Sequence, residues 1–266
     1  MATTIPHVVN RFVIDSDDTG NALGAPVTYP APGVSGLAVG DLDGDGFPDV
    51  AGAITGHVEV FINSGGGALA AAVGYDAVGS GRSIAMADVD GDGRPDLAVP
   101  MSGGKVRILI NNGAGNFANR VADYPVAAND VVTVAFGDLN GDGKPDLVAT
   151  DFMSQILVLM NDGTGAFGSP AAYPAGTQPY ALAIADLDND GRLDVTVGDY
   201  GTKPGIGVLM NTGNGRLAPV VNCPAGMAPF AVQAADLDGD GKVDLFVPNA
   251  GALGTGGVFI LLNSTP

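Results

Sequence analysis

Tryptophan is absent from this chain of 266 residues, which has one cysteine and two histidines. The single thiol, Cys223, excludes an internal disulfide framework. That suits the cytosol, or a secreted protein stapled by metal instead. His7 and His57 stand 50 residues apart, and no Gly-x-Ser-x-Gly elbow or Cys/His pair accompanies them. The chain therefore offers little material for nucleophilic or acid/base catalysis. Basic residues are scarce, 11 Lys+Arg against 29 Asp+Glu, and form no run. Nucleic acid is excluded as a natural partner on that ground. No apolar run reaches the length of a membrane-spanning helix. Helical periodicity is missing too. The opening Met1-Ala2-Thr3-Thr4-Ile5-Pro6 has neither the charged nor the apolar region of a signal peptide. The closing Ser264-Thr265-Pro266 reads as the start of a linker, so a module of a larger protein is expected.

Aspartate and glycine are abundant, and both are organised. A nine-residue pattern of the form Asp138-Leu139-Asn140-Gly141-Asp142-Gly143-Lys144-Pro145-Asp146 starts at Asp41, Asp88, Asp138, Asp186 and Asp236, at steps of 47, 50, 48 and 50 residues. In a tightly turned loop, side chains at positions 1, 3 and 5 converge, and glycine at position 6 lets position 9 return to the same point. The side-chain donors would be Asp41, Asp43, Asp45 and Asp49; Asp88, Asp90, Asp92 and Asp96; Asp138, Asn140, Asp142 and Asp146; Asp186, Asp188, Asp190 and Asp194; and Asp236, Asp238, Asp240 and Asp244. Position 7, occupied by Phe47, Arg94, Lys144, Arg192 or Lys242, would offer its carbonyl.

Carboxylates packed this closely repel one another unless a cation sits between them. Hard oxygen donors in a flexible cage suit Ca²⁺; Mg²⁺ demands a stricter octahedron. Transition metals are disfavoured, because no His or Cys lies in any loop. The alternative of a merely acidic, solvated turn sits poorly with five copies at one period. About five Ca²⁺ are expected, and they would offset more than half of the net charge of −18. An EF-hand is excluded, since its position-12 Glu is Gly52, Val99, Ala149, Val197 or Val247 here.

Between the loops the chain alternates with period two. Leu37 and Val39, Ile84 and Met86, and Val134 and Phe136 precede their loops, with Ala or Gly between them. That is a strand with one bulky and one small face, suited to the crowded axis of a ring. A second apolar run follows each loop. A third ends in Asn63, Asn111, Asn161, Asn211 or Asn263, and a fourth closes on Tyr75, Tyr124, Tyr173 or, in the same slot, Cys223. Four short strands per repeat predict an all-β propeller of about five four-stranded blades. Repeats start near residues 34, 81, 130, 179 and 229 of a single domain, 24–266. Residues 24–30 match a fourth strand, and the C-terminus stops after a third. The N-terminal strand is therefore expected to complete the last blade and close the ring. Residues 1–23 are expected to pack at that seam, with Arg11-Phe12-Val13-Ile14-Asp15 as a surplus third strand.

With Asn140-Gly141-Asp142-Gly143-Lys144-Pro145-Asp146-Leu147 and Val158-Leu159-Met160-Asn161-Asp162-Gly163-Thr164-Gly165-Ala166-Phe167 in view, residues 24–263 resemble the FG-GAP/VCBS repeat family. The resemblance implies a β-propeller with Ca²⁺ between strands one and two of each blade. The family includes integrin α-subunit heads, fungal and bacterial lectins, surface and adhesion proteins, and polysaccharide lyases. It mostly builds larger rings than five loops imply. A non-enzymatic, lectin-like or adhesive module is expected, outside the cell or at its surface, with a glycan or cell-surface protein as partner and oligomers possible. Competing readings are a structural or protein-interaction propeller with no small ligand, and an enzyme acting on acidic polysaccharide. The metal loops consume one face. Residues breaking the repeat on the other, Asp151, Phe152, Asp199, Tyr200, Lys203 and Asn249, are the candidate ligand contacts, with His57, Arg82, Asp130, Gln178 and Tyr180 around them.

Overall fold

The second run of each repeat is apolar on both faces, and in the structure it is mostly buried on both in the first four repeats, while in the fifth Phe246 is exposed. The computed structural model describes residues 8–11, 27–77, 82–127, 130–201, 205–250 and 256–264. Its first blade is the antiparallel sheet β3 (Gly36–Gly40), β4 (Asp49–Ile54), β5 (Gly56–Phe61) and β6 (Val73–Ala77). The second holds β7 (Ala85–Ala87), β8 (Asp96–Met101), β9 (Lys105–Ile110) and β10 (Arg120–Pro125). The third holds β11 (Val131–Gly137), β12 (Asp146–Asp151), β13 (Gln155–Leu159) and β14 (Ala171–Pro174). The fourth holds β15 (Pro179–Ala185), β16 (Asp194–Asp199), β17 (Gly205–Leu209) and β18 (Val221–Cys223). Each blade is a meander in sequence order. Its second strand lies centrally, entirely buried in β8, β12 and β16, and its fourth lies outermost and mostly exposed.

First strands line the inner side, β3 against β7, β7 against β11, β11 against β15 and β15 against β19 (Gln233–Ala235). This is the β-propeller arrangement. The small residues read as axial are needed there. A Cβ on Gly36 would fall 2.9 Å from Ser83 Cα, and one on Gly137 would fall 3.0 Å from Ile184 Cγ2. Apolar clusters sit between blades. One joins Leu42, Val58 and Val60 to Leu97, Leu109 and Phe117, and another joins Leu139, Val148 and Ile156 to Val195, Leu209 and Leu217.

The expected ring closure is corrected. The fifth blade has three strands among the described residues, β19, β20 (Asp244–Asn249) and β21 (Gly257–Leu261). The N-terminal strand β2 (Val27–Pro30) pairs not with β21 but with β1 (Val8–Arg11), from Val8 opposite Pro30 to Arg11 opposite Val27. Among the described residues there are thus four complete blades, a three-stranded fifth and a two-stranded piece ahead of the first. β1 lies only 15 residues before β2 in sequence, and closing so small a separation costs less entropy than a return from the other end of the chain. The surplus strand forms at Val8–Arg11; of the expected Arg11-to-Asp15 stretch, all but Arg11 lies outside the described residues.

β2 does hold a fourth-strand place. Tyr29 packs edge-on against Phe61, with ring centroids 6.3 Å apart, and its hydroxyl accepts a hydrogen bond from Leu69 N. Tyr75 stands likewise against Phe117 of the next blade, and Tyr124 against Phe167. β1 and β2 are therefore the third and fourth strands of a blade preceding the first.

Candidate metal loops and the opposite face

Two consecutive left-handed turns shape each loop. Positions 4 and 6 have positive φ, as at Gly44 (82°) and Gly46 (87°), and Asn189 takes position 4 of the fourth loop at 60°. Position 6 was legible as a turn glycine. Position 4 has the same duty, and Asn is the side chain that tolerates it best. The turns aim backbone amides at the carboxylates. In the first loop Asp41 accepts Gly44 N at 2.7 Å and Gly46 N at 2.9 Å, Asp43 accepts Asp45 N at 3.1 Å, and Asp45 accepts Phe47 N at 2.8 Å. Asp49, fully buried, accepts Leu42 N and Asn63 N, both at 2.7 Å.

The position-9 aspartate accepts the same two amides in every loop. Asp96 accepts Val89 N and Asn111 N, Asp146 accepts Leu139 N and Asn161 N, Asp194 accepts Leu187 N and Asn211 N, and Asp244 accepts Leu237 N and Asn263 N. Burial nevertheless pushes Asp96 up to about 6, against those amide bonds. It raises Asp146 and Asp194 as well. At Asp244, in the incomplete blade, the amide bonds from Asn263 and Leu237 prevail and the carboxyl is lowered.

Carboxylate oxygens converge within 4.8 Å in four loops: Asp41, Asp43 and Asp45; Asp88, Asp90 and Asp96; Asp186, Asp188 and Asp194; and Asp236, Asp238 and Asp244. In the third loop, Asn140 stands where a third carboxylate would, and its Oδ1 accepts Asp142 N at 2.8 Å. The donor set is all oxygen and anionic. Asp90 Oδ1 is buried with no hydrogen-bond partner, an orphan that a cation in the loop would satisfy. The residues fit a hard divalent ion. When bound, the ion would cancel the mutual repulsion of the carboxylates and tie position 9, at the head of the second strand, to positions 1, 3 and 5.

Position 7 does more than present a carbonyl. The Arg94, Lys144 and Lys242 side chains reach the position-5 carboxylates Asp92, Asp142 and Asp240 at 2.8, 3.8 and 3.9 Å, and Arg192 pairs with Asp190. Arg120, from β10, pairs with Asp90, a partner not legible from the loop itself.

The third-strand asparagine was visible as a repeat ending, but its role was not. Asn111 Nδ2 donates to Pro95 O in its own loop and to Leu42 O in the loop of the blade before, at 3.1 and 2.8 Å. Asn161 does the same to Pro145 O and Val89 O, Asn211 to Leu193 O and Leu139 O, and Asn263 to Val243 O and Leu187 O. Each asparagine thus ties its own metal loop to its neighbour's. Among the described residues, Asn63 Nδ2 donates to Pro48 O alone, and the buried Asn63 Oδ1 has no partner.

On the opposite face the repeat-breaking residues separate into two kinds. Asp151, Asp199 and Asn249 end the second strands and are buried. Asp199 accepts Thr177 N, Gln178 N and Gly201 N, and Asp151 accepts Met153 N. These two hold loops, a duty that their place as repeat-breaking residues did not reveal. Asn249 forms a bridge with Pro229, while its buried Nδ2 has no partner among the described residues. Phe152 is half-buried; Tyr200 is exposed; Lys203 lies outside the described residues. Tyr200 is tilted against Tyr180, centroids 5.8 Å apart, and with Thr177, Gln178 and Gly201 it lines an open depression of about 450 Å³. His57 lies 3.4 Å from Glu59. No described helix is long and apolar enough to cross a membrane.

No curated protein sequence matches the chain significantly. Among solved structures it is similar to an Agrocybe aegerita lectin that recognises non-reducing terminal N-acetylglucosamine, with TM-score 0.58 and 23% identity over 96% of this chain and 75% of that one. BBS1N, solved in complex with ARL6DN, matches with TM-score 0.63 and 14% identity over 99% and 80%. The Vibrio cholerae biofilm matrix protein Bap1 matches with TM-score 0.56 and 18% identity over 88% of this chain but 38% of its own. At these identities the likeness shows the propeller fold. The FG-GAP-like repeat model matches residues 41–99, 99–149, 138–197 and 195–247, spans that each contain at least one of the aspartate loops, and the chain belongs to that family.

Proposed function

We propose that this chain is a calcium-stabilised binding module whose ligand is a carbohydrate, held on the face opposite the metal loops. About five Ca²⁺, one per loop, would lock the blades. The observation carrying the ligand assignment is the exposed Tyr200, tilted against Tyr180, in the wall of a depression with Thr177, Gln178 and Gly201. The Tyr200 ring, backed by Tyr180, gives a stacking platform for the apolar face of a sugar, and Thr177, Gln178 and the Gly201 backbone supply hydrogen-bonding groups beside it. Asp199 acts behind them, holding the Thr177, Gln178 and Gly201 amides in place. The likeness to a lectin of the same fold supports this reading. So does the repeat family's place among surface proteins, and an extracellular or cell-surface setting goes with it.

The reading is non-enzymatic. His57 is engaged by Glu59, and the acidic groups that could act in pairs are those the metal loops use. A second reading, a protein partner on the same face, is favoured by the BBS1N likeness. A glycan array probed with the Ca²⁺-loaded protein separates the two. The proposal expects glycan hits that Tyr200→Ala abolishes. An array without hits, together with a protein ligand that competes at Tyr200, would establish the second reading instead.

A further inference from the structure

The second aspartate loop is held differently from the other four. At position 3 of the first, third, fourth and fifth loops, Asp43, Asn140, Asp188 and Asp238 accept the position-5 amide of their own turn, at 3.1, 2.8, 3.3 and 3.1 Å. In the second loop that amide, Asp92 N, donates to Asp88 at 3.2 Å instead. Asp90, at position 3, turns to Arg120, and one of its oxygens pairs with the guanidinium. The other oxygen, Oδ1, is buried with no partner among the described residues, on a side chain only 8% exposed. Arg120 is half-exposed, and its Nη2 donates to Thr164 O of the third blade at 3.4 Å.

Strand length brings Arg120 there. β10 runs six residues, against five in β6, four in β14 and three in β18. Its first residue, Arg120, stands opposite Ile110, beside the Asn111 whose amide binds Asp96 at the head of β8. Counted back from the tyrosine slot, the same place holds Ala71, Ser169 and Pro219 in the other complete blades. The loops therefore differ in the positive charge around them. Among the described residues no Lys or Arg pairs with the first loop, where Phe47 stands at position 7. The fourth and fifth loops each have one such partner, Arg192 and Lys242. The second has two, Arg94 and Arg120, which bring its four Asp to the net charge of the third loop, three Asp beside Lys144.

We propose that Arg120 is an internal cation that sets the calcium affinity of the second loop, supplying part of the metal's charge to the metal-free loop and opposing the ion once it binds. This rests on the calcium reading of the loops. Like charges a few ångströms apart near a protein surface repel appreciably, and half exposure of the guanidinium screens but does not remove that repulsion. Calcium affinity follows the charge of the site. Asp90 Oδ1 stays free for the ion, so Arg120 weakens the site without closing it. The first loop, with no cation of its own, should depend on the metal more than the second. Linkage ties the two effects together: the factor by which Arg120 lowers calcium affinity is the factor by which bound calcium reduces what Arg120 contributes to the fold.

The test follows the Gly93 and Gly46 amides of the full chain by NMR while a chelator buffer sets free Ca²⁺. These amides donate to Asp88 and Asp41, which open the second and first loops. In the unaltered chain Gly46 should respond at lower Ca²⁺ than Gly93. Arg120→Gln should lower the Gly93 midpoint roughly tenfold, the order expected of one screened charge, and leave the Gly46 midpoint in place. Arg120→Lys keeps the charge and should stay within about twofold of the unaltered chain. In thermal melts Arg120→Gln should fall below the unaltered chain in EDTA, and the gap should narrow in saturating Ca²⁺. A Gly93 midpoint unchanged or raised by Arg120→Gln, a Lys variant that behaves as the Gln one, or a melting gap equally wide in both conditions would overturn the proposal while the calcium reading stands. If neither amide responds to Ca²⁺ in any variant, the calcium reading falls and the proposal falls with it.

Discussion

Asn161→Ala should cost far more stability than Asn63→Ala, although the two residues hold the same place in their repeats and are almost equally buried. Asn161 Nδ2 donates to Val89 O at 2.9 Å and to Pro145 O at 3.1 Å, and its Oδ1 accepts Gly163 N at 2.9 Å. In the alanine variant Val89 O keeps its bond from Gly165 N, but Pro145 O and Gly163 N lose their partner in a partly buried place. At about 1–3 kcal/mol for each group left unsatisfied, with partial burial favouring the lower half, the loss is about 3 kcal/mol. Among the described residues Asn63 Nδ2 donates to Pro48 O alone, and its Oδ1 is without a partner. Removing it forfeits one bond and relieves an orphan, so about 1 kcal/mol is expected. For a domain of this size that means melting points lowered by roughly 6–12 °C and 2–4 °C. Urea denaturation and thermal melts in saturating Ca²⁺ would measure both. Equal losses would refute the reasoning, because the first blade's asparagine would then have a neighbouring loop to bind, or the link between loops would contribute nothing.

Chelation should lower the melting temperature, and Ca²⁺ should restore it. One site at a hundred times its dissociation constant contributes about 2.7 kcal/mol, so several are comparable with the ~5–15 kcal/mol of a typical domain; an unchanged melt in EDTA would remove the metal assignment. Asn140→Asp should tighten the third loop, whose charge is lowest, as calorimetry can show, whereas a third site already the tightest would mean charge does not order them. In EDTA the protein should melt higher at pH 5 than at pH 7. Asp96 is raised from 3.8 to about 6, so its contribution is fully present below the unfolded value and is lost as pH rises through the folded one. With Ca²⁺ bound the order should reverse, because protons then compete with the ion. Tyr200→Ala should leave the melt nearly unchanged while glycan binding falls, and Asp199→Ala should cost about 2–4 kcal/mol through its three amide donors; a neutral Asp199→Ala would reopen that carboxylate as a direct ligand contact.

The sequence by itself determined the repeat, the strand order within a blade and the clustering of the loop carboxylates, because each is a local property. Period-two alternation sets which face of a strand is buried, and oxygen side chains at positions 1, 3, 5 and 9 can meet only where glycines permit the turn. The tyrosine slot and its occupation by Cys223 were legible for the same reason. What one end of the chain does with the other depends on spatial neighbours, and there the reading failed. Residues 27–30 do have the pattern of a fourth strand, and Tyr29 makes a fourth-strand contact. Only the tertiary structure shows that β1 already occupies their edge. The same holds for Asn111, Asn161, Asn211 and Asn263, whose side chains serve a loop about 70 residues earlier in the chain. It holds for Asp151 and Asp199, which look like free loop carboxylates until the amides converging on them are seen. In each case the deciding partner is a backbone group of another segment. Every residue carries such a group, so the sequence cannot mark it.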